Sequence, residues 1–278
     1  MTRMENKTFD AERALYESQD LHLANCRFAG EADGESALKE SSHVLAENCL
    51  FALRYPLWHD EDVRLVSCEM TDTCRAPLWY SHSVRVKDCR ILGTKALREC
   101  RDCEIKDSFV RSDEFGWRSG RLTVANTQAE GMYFMFSAYD LRIDNLTFTG
   151  KYSFQYVSTA VLENCVLDTK DAFWHAENVT VRNSVVKGEY LGWYSKNLTF
   201  ENCIITGTQP LCYCQGLKLV NCEMHGCDLS FEKSDVYAAV TTPILSVKNV
   251  LSGNVTAPSI GEIICDGAQY KGTVQVKK

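Results

Sequence analysis

A unit of 19 residues recurs along this chain, and that period excludes most folds before composition is considered. With the Asn-Cys step of Val161-Leu-Glu-Asn-Cys165 as anchor, the equivalent second residues are Cys26, Cys49, Cys68, Cys89, Ser108, Thr127, Leu146, Cys165, Ser184, Cys203 and Cys222. The gaps are 23, 19 and 21, then 19 seven times in succession. The residue before the anchor is Asn in eight of the eleven cases and Ser67, Asp88 or Asp107 in the others. Self-similarity at a fixed short period marks a solenoid.

The columns flanking the anchor are apolar throughout. Three residues before it stand Leu23, Ala46, Leu65, Val86, Ile105 and their successors; two after it stand Phe28, Phe51, Met70, Ile91, Val110 and theirs. Alternation such as Val179-Thr-Val181 has the period of a strand. Four places after the anchor, Gly30, Gly93, Gly131, Gly150, Gly188, Gly207 and Gly226 mark a turn. A second strand-like segment follows, as in Ala172-Phe-Trp-His-Ala176. The repeat therefore begins near residue 14, and the long first gap reads as a loop insertion.

Nineteen residues cannot hold two helices. Leucine-rich repeats compete, because Leu-x-Leu-x-Asn-Cys-x-Phe echoes their consensus, but their period is at least about 20 and the rest of each unit should be helical or irregular. A second strand in each unit favours a parallel β-helix. The expected fold is all-β, a single-stranded parallel β-helix of about eleven coils over residues 14–236. Residues 1–13 should cap the first coil and 237–278 should form a β-rich cap or abbreviated coils, in one domain. In such a stack each column becomes a ladder between rungs about 4.8 Å apart. Ladder asparagines tolerate a left-handed bend and hydrogen-bond to one another.

Seven of the 14 cysteines fall in the anchor column, where they should pack in the core; rung spacing alone does not exclude disulfides. Residues 1–15 lack an apolar signal core, so free thiols in a cytoplasmic compartment are expected. Cys100-x-x-Cys103 and Cys212-x-Cys214 have no second pair at finger-like spacing, and no metal or other cofactor is expected. A net charge of -7 disfavours nucleic acid as partner. No apolar run approaches the roughly 18 residues of a membrane span.

All five tryptophans share one column: Trp58, Trp79, Trp117, Trp174 and Trp193, with Arg98 at an equivalent place. The preceding column, Leu57, Leu78, Leu97 and Phe173 among others, reads as interior. The Trp column then points outward and the strand bends just after it. An exposed row of rings suits a sugar or a protein partner, although the rings could instead pack on one another or under loops. Trp58, His59, Arg75, Trp79, Arg98, Trp117, Trp174 and Trp193 are the candidate binding residues, while Arg75, Arg98 and Glu99 read equally as surface ion pairs. Asp171 and Glu189 fall on neighbouring rungs, at a separation that glycoside hydrolysis can use. With His175 and Lys170 beside them as base or charge stabiliser, these four are the candidate catalytic residues. A solvated turn would carry the same charges.

The period, the Asn ladder and the coil count resemble the right-handed parallel β-helix of the pectin-lyase-like superfamily. More closely, Ala52-Leu-Arg-Tyr-Pro-Leu-Trp-His-Asp60, Asp168-Thr-Lys-Asp-Ala-Phe-Trp-His175 and Gly188-Glu-Tyr-Leu-Gly-Trp-Tyr194 resemble an uncharacterised bacterial family of unknown function with that fold. The resemblance implies right-handed coils, as does the general preference for right-handed crossovers, and it implies no activity. The acidic motifs of the superfamily's lyases have no match here. Two functions follow as expectations: a carbohydrate-binding or carbohydrate-active protein, or a non-enzymatic scaffold for a protein partner.

Overall fold

The computed structural model describes residues 1–30 and 34–276. Among them every regular element is a strand. The chain divides into two compact units, Met1–Arg142 and Ile143–Lys278. Both are parallel β-solenoids built from stacked coils.

In the first unit the main ladder runs through Thr2–Glu5, Gln19–Ala24, Ser42–Glu47, Glu61–Val66, His82–Lys87, Arg101–Lys106 and the start of Gly120–Met132, all parallel. A shorter ladder runs through Thr8–Phe9, Arg27–Phe28, Leu50–Phe51, Glu69–Met70, Arg90–Ile91 and Phe109–Arg111. In the second unit the main ladder runs through Ser158–Glu163, Glu177–Arg182, Lys196–Glu201, Leu217–His225, Asp235–Val240, Ser252–Ala257 and Thr273–Val276. Its companion includes Val166–Lys170, Val185–Lys187 and Ile204–Thr206.

The coil count therefore exceeds the expected eleven. Thr2–Glu5 pairs with Gln19–Ala24 and forms a coil of its own, where a cap is expected. Past residue 236 the chain continues the stack, and Ile244–Lys248 pairs with Ile260–Ile264. The first coil keeps the 19-residue step, since Thr2 pairs with Leu21, but it carries Asn6-Lys7 in place of Asn-Cys; past residue 236 the Asn-Cys pair is lost and the step shortens, as where Ile244 pairs with Ile260. Part of the expected insertion after Cys26, residues 31–33, and the last two positions of the expected C-terminal segment, 277–278, lie outside the described residues.

Asn25, Asn48, Ser67, Asp88, Asp107 and Asn126 all have φ between 49° and 54°, and Asn164, Asn183, Asn202 and Asn221 lie between 48° and 55°. The left-handed residue turns its amide around. The Asn48 N–H donates forward to Val66 O on the following coil at 3.0 Å, whereas the Leu50 N–H donates backward to Cys26 O at 3.0 Å. Each corner thus bonds its coil to both neighbours, and short polar side chains adopt this conformation at least cost. Asn221 Nδ2 donates to Asn202 Oδ1 at 2.9 Å, and Asn202 Nδ2 to Asn183 Oδ1 at 3.2 Å. Close stacking excludes side chains elsewhere: a Cβ on Gly207, at φ 137°, would lie 1.9 Å from Gly188 O.

The anchor column is buried and its cysteines are free. Cys68 Sγ donates to Val66 O at 3.4 Å and to Ala46 O at 3.3 Å. Ser184 Oγ makes the equivalent bond to Arg182 O at 2.6 Å. This explains why Cys, Ser and Thr interchange there: each is small and each donates to a carbonyl. The apolar columns stack ring on ring, as Phe28 on Phe51 with centroids 4.8 Å apart and Phe154 on Phe173 at 5.2 Å. Full burial of each such side chain contributes roughly 1.5–3 kcal/mol.

The 21-residue step between Cys68 and Cys89 leaves the ladder intact, since Val63 still pairs with Val84. The extra length is carried at the turn, where Asp72 and Thr73 are exposed and Thr73 Oγ1 bonds Ala52 O at 2.7 Å.

Candidate functional site

The flank beside the second strand segment is made by three successive columns. Leu57, Leu78 and Leu97 in the first unit, and Phe173 and Leu211 in the second, are buried. The Trp column follows and is half-buried. The next column carries the bend, with φ 61° at His59, 51° at Arg118, 54° at His175 and 60° at Tyr194.

In the first unit the Trp column is a stack of flat groups. Lys39 Nζ lies 5.3 Å over the Trp58 ring, and Trp58 stacks on Trp79 with centroids 5.4 Å apart. The Arg98 guanidinium sits between Trp79 and Trp117, at 5.3 and 5.2 Å from their ring centres. Trp117 stacks on Phe136 at 4.3 Å. Arg98 Nη1 donates to Glu114 Oε2 at 2.8 Å. The indole faces are thus covered by their neighbours and the ring edges make the flank. His59 stacks on Tyr80 at 5.0 Å in the exposed column, and Arg75 is exposed at the adjoining turn.

In the second unit Trp174 stacks on Trp193, and each indole N–H is tied to a corner carbonyl, Tyr190 O at 2.6 Å and Gln209 O at 2.8 Å. Outside them runs a continuous aromatic row. Tyr156 stacks on His175 at 4.8 Å, His175 on Tyr194 at 5.1 Å, and Tyr194 on Tyr213 at 4.9 Å. Lys233 Nζ lies 6.0 Å over the Tyr213 ring. Tyr156 and Tyr194 are 49% and 44% exposed.

The four candidate catalytic residues separate into two groups. Lys170, Asp171 and Glu189 come together at one corner, where Lys170 Nζ contacts Glu189 Oε2 at 2.8 Å and lies 5.2 Å over the Tyr190 ring. His175 belongs instead to the tyrosine row. Asp171 is buried, and desolvation raises its carboxyl above the usual range, against the pull of Lys170. Its hydrogen bond with Glu189 raises Lys170, so this lysine is a cation at neutral pH, the wrong protonation state for a base. Tyr156 and Tyr194 are the exposed tyrosines of the row, one column beyond the tryptophans that the sequence favours. The signal was present, because the residue after each Trp must sit at the bend if the residue before it is interior.

Among the described residues no group of three or more His, Cys, Asp or Glu could hold a metal ion. Among the described residues no helix is long and apolar enough to cross a membrane.

The profile of a family described as protein of unknown function, DUF3737, matches residues 2–277. The chain belongs to that family. No match was found among curated proteins. Among solved structures, a double mutant of the tailspike protein of E. coli bacteriophage HK620, in complex with pentasaccharide, is 9% identical over 95% of this chain and 67% of its own, with a TM-score of 0.51. A further tailspike mutant, in complex with hexasaccharide, is 9% identical with a TM-score of 0.49, and the chain covers 66% of it. The mannuronan C-5 epimerase AlgE4 A-module of Azotobacter vinelandii is 10% identical over 98% of this chain and 87% of its own, with a TM-score of 0.32. Likeness to the first of these supports the parallel β-helix fold and carries no residue of a site.

Proposed function

We propose that this DUF3737 protein binds a glycan lengthwise along its aromatic flank. The observation that carries the reading is the stacked row Tyr156, His175, Tyr194, Tyr213, whose first three rings are exposed and whose fourth is half-buried. Because the rings cover one another's faces, a sugar chain would be held by hydroxyl and imidazole hydrogen bonds across the edges. Lys170 and Glu189 stand at the adjoining corner to meet charged or hydroxyl substituents. Trp58, His59, Arg75, Trp79, Arg98 and Trp117 form the same kind of flank in the first unit, and Trp174 and Trp193 back the row in the second. The tailspike of similar fold was solved with a bound pentasaccharide, which makes oligosaccharides the first ligands to test. Fourteen free cysteines suit a reducing compartment such as the cytoplasm.

Calorimetric titration against an oligosaccharide panel tests the reading. A binding glycan should lose at least tenfold affinity with Tyr194→Ala and a smaller factor with Tyr194→Phe. Absence of binding across the panel, or undiminished binding by Tyr194→Ala, overturns it; a protein captured on this flank instead would favour the scaffold function.

The desolvated Asp171 beside the solvated, ion-paired Glu189 favours a second reading, glycoside cleavage. Two carboxyls in unlike environments are what acid and base roles require. Turnover of a bound glycan that survives Asp171→Asn removes this reading and leaves the binding one standing.

A further inference from the structure

Two residues after the Trp column, the chain turns inward to a second buried column of small polar residues: Ser41, Asp60, Ser81, Cys100 and Ser119 in the first unit. Every serine in this series does two things. Its hydroxyl accepts an N–H from the preceding coil, as Ser81 Oγ does from the Asp60 N–H at 3.1 Å and Ser119 Oγ from the Cys100 N–H at 3.0 Å. It also donates to a carbonyl, as Ser41 Oγ does to Leu15 O at 3.3 Å, Ser81 Oγ to Trp79 O at 3.2 Å and Ser119 Oγ to Leu97 O at 2.9 Å. Asp60 reproduces the first half: Oδ1 accepts the Ser41 N–H at 2.7 Å. Its Oδ2 is buried with no partner, and the residue is 1% exposed.

We propose that Asp60 is a neutral carboxylic acid and a proton-binding switch, whose O–H replaces the serine hydroxyl of the column. As a carboxylate Oδ2 could only accept, and no donor among the described residues reaches it; as an acid it carries an O–H, the donor type that each serine of the column carries. Deprotonation leaves an unpaired charge among Ser41, Ser81 and Cys100 and loosens the corner that carries Trp58 and His59.

No ion pair reaches Asp60 among the described residues. The charged or titratable groups that act on it are Glu40 on the preceding coil and Cys100, two coils further on. Neither supplies a positive charge. Burial pushes the carboxyl up to about 8, against the Ser41 N–H, and Glu40 adds to the rise. The folded chain then holds a proton that the unfolded chain loses near pH 4, so stability falls as pH rises from about 4 to about 8 and is flat beyond.

Carbon-13 NMR of aspartate-labelled protein tests the proposal directly. One aspartyl carboxyl should titrate near pH 8, and its signal should be missing from Asp60→Asn. The melting temperature of the wild type should drop between pH 5 and pH 8, with a smaller drop in Asp60→Asn and in Asp60→Ser. Titration of every aspartate below pH 5 in the wild type overturns the proposal. So does an undiminished pH slope in whichever variant folds. Asp60→Ser restores the residue type of the adjacent coils, and the wild-type titration needs no variant.

Discussion

Trp174 lies flat on Trp193, with ring centroids 5.4 Å apart and planes 4° from parallel. The stack is a consequence of the repeat itself. When the same residue type returns at the same place on successive coils, its side chain meets a copy of itself, and flat or hydrogen-bonding groups match their own copies well. The same rule produces the Asn202–Asn183 bond and the Phe28–Phe51 pair. It also explains the Arg98 position, where a planar guanidinium substitutes for an indole in the column.

Arg98→Ala should therefore cost about 2 kcal/mol, since it removes a largely desolvated cation held between two indoles. Arg98→Lys should recover little of that, because an ammonium cannot stack as a plane. Urea denaturation midpoints of the three proteins check this.

Asn202 combines a left-handed backbone, φ 52°, with ladder bonds on both sides. Asn202→Gly keeps the conformation accessible and loses the bonds, whereas Asn202→Ala loses both. The alanine variant should be less stable than the glycine variant by about 1 kcal/mol, an inversion of the order expected in an ordinary strand. Thermal melts of the pair measure it.

The thiols should be nearly silent. Thirteen cysteines are buried and Cys265 is exposed. Burial pushes Cys165 and Cys214 up to about 11 and Cys212 up to about 12, which removes their reactive thiolate; hydrogen bonds from neighbouring thiols lower Cys49, Cys89 and Cys222, and these are shielded by burial alone. A short pulse of alkylating reagent on native protein should label Cys265 alone, and all 14 after unfolding, as read by mass spectrometry. Cys68→Ser should change stability by no more than about 1 kcal/mol, because Ser108 and Ser184 already hold equivalent places.

Asp171 has its carboxyl raised by burial. The folded state retains its proton at pH values where the unfolded state has released it. Its contribution is therefore most favourable below the ordinary carboxylate range and declines as pH rises through and above that range. Asp171→Asn, which tolerates φ 55°, should gain stability over wild type at pH 7 and show little difference at pH 3.5. Denaturation curves at the two pH values decide it.

The ladders were legible in the sequence because a fixed period turns each column of letters into neighbours in space. The Asn corners, the buried Cys column and the apolar rows all follow from that alone. The packing of the tryptophans was not: period two assigns a side of the strand, but whether Trp58 offers its face to solvent or to Trp79 depends on side-chain rotation about the coil. Asp60 was missed for a different reason. It stands in a serine column that shows only when residues two places after each Trp are aligned, and a charged residue type there reads as solvent-facing. The first coil reads as a cap in the sequence because Thr2–Glu5 is polar and Lys7 stands where an apolar or small anchor residue is expected, while the coils past residue 236 match the abbreviated-coil alternative.

The extra residues near Asp72 have a practical corollary. Since the pairing of Val63 with Val84 is undisturbed by them, this corner works as a slack point where the chain can be lengthened without rewriting the scaffold. Foreign peptide loops spliced between Asp72 and Thr73 should be displayed on the surface of the first unit, at a site chosen by the molecule's own architecture.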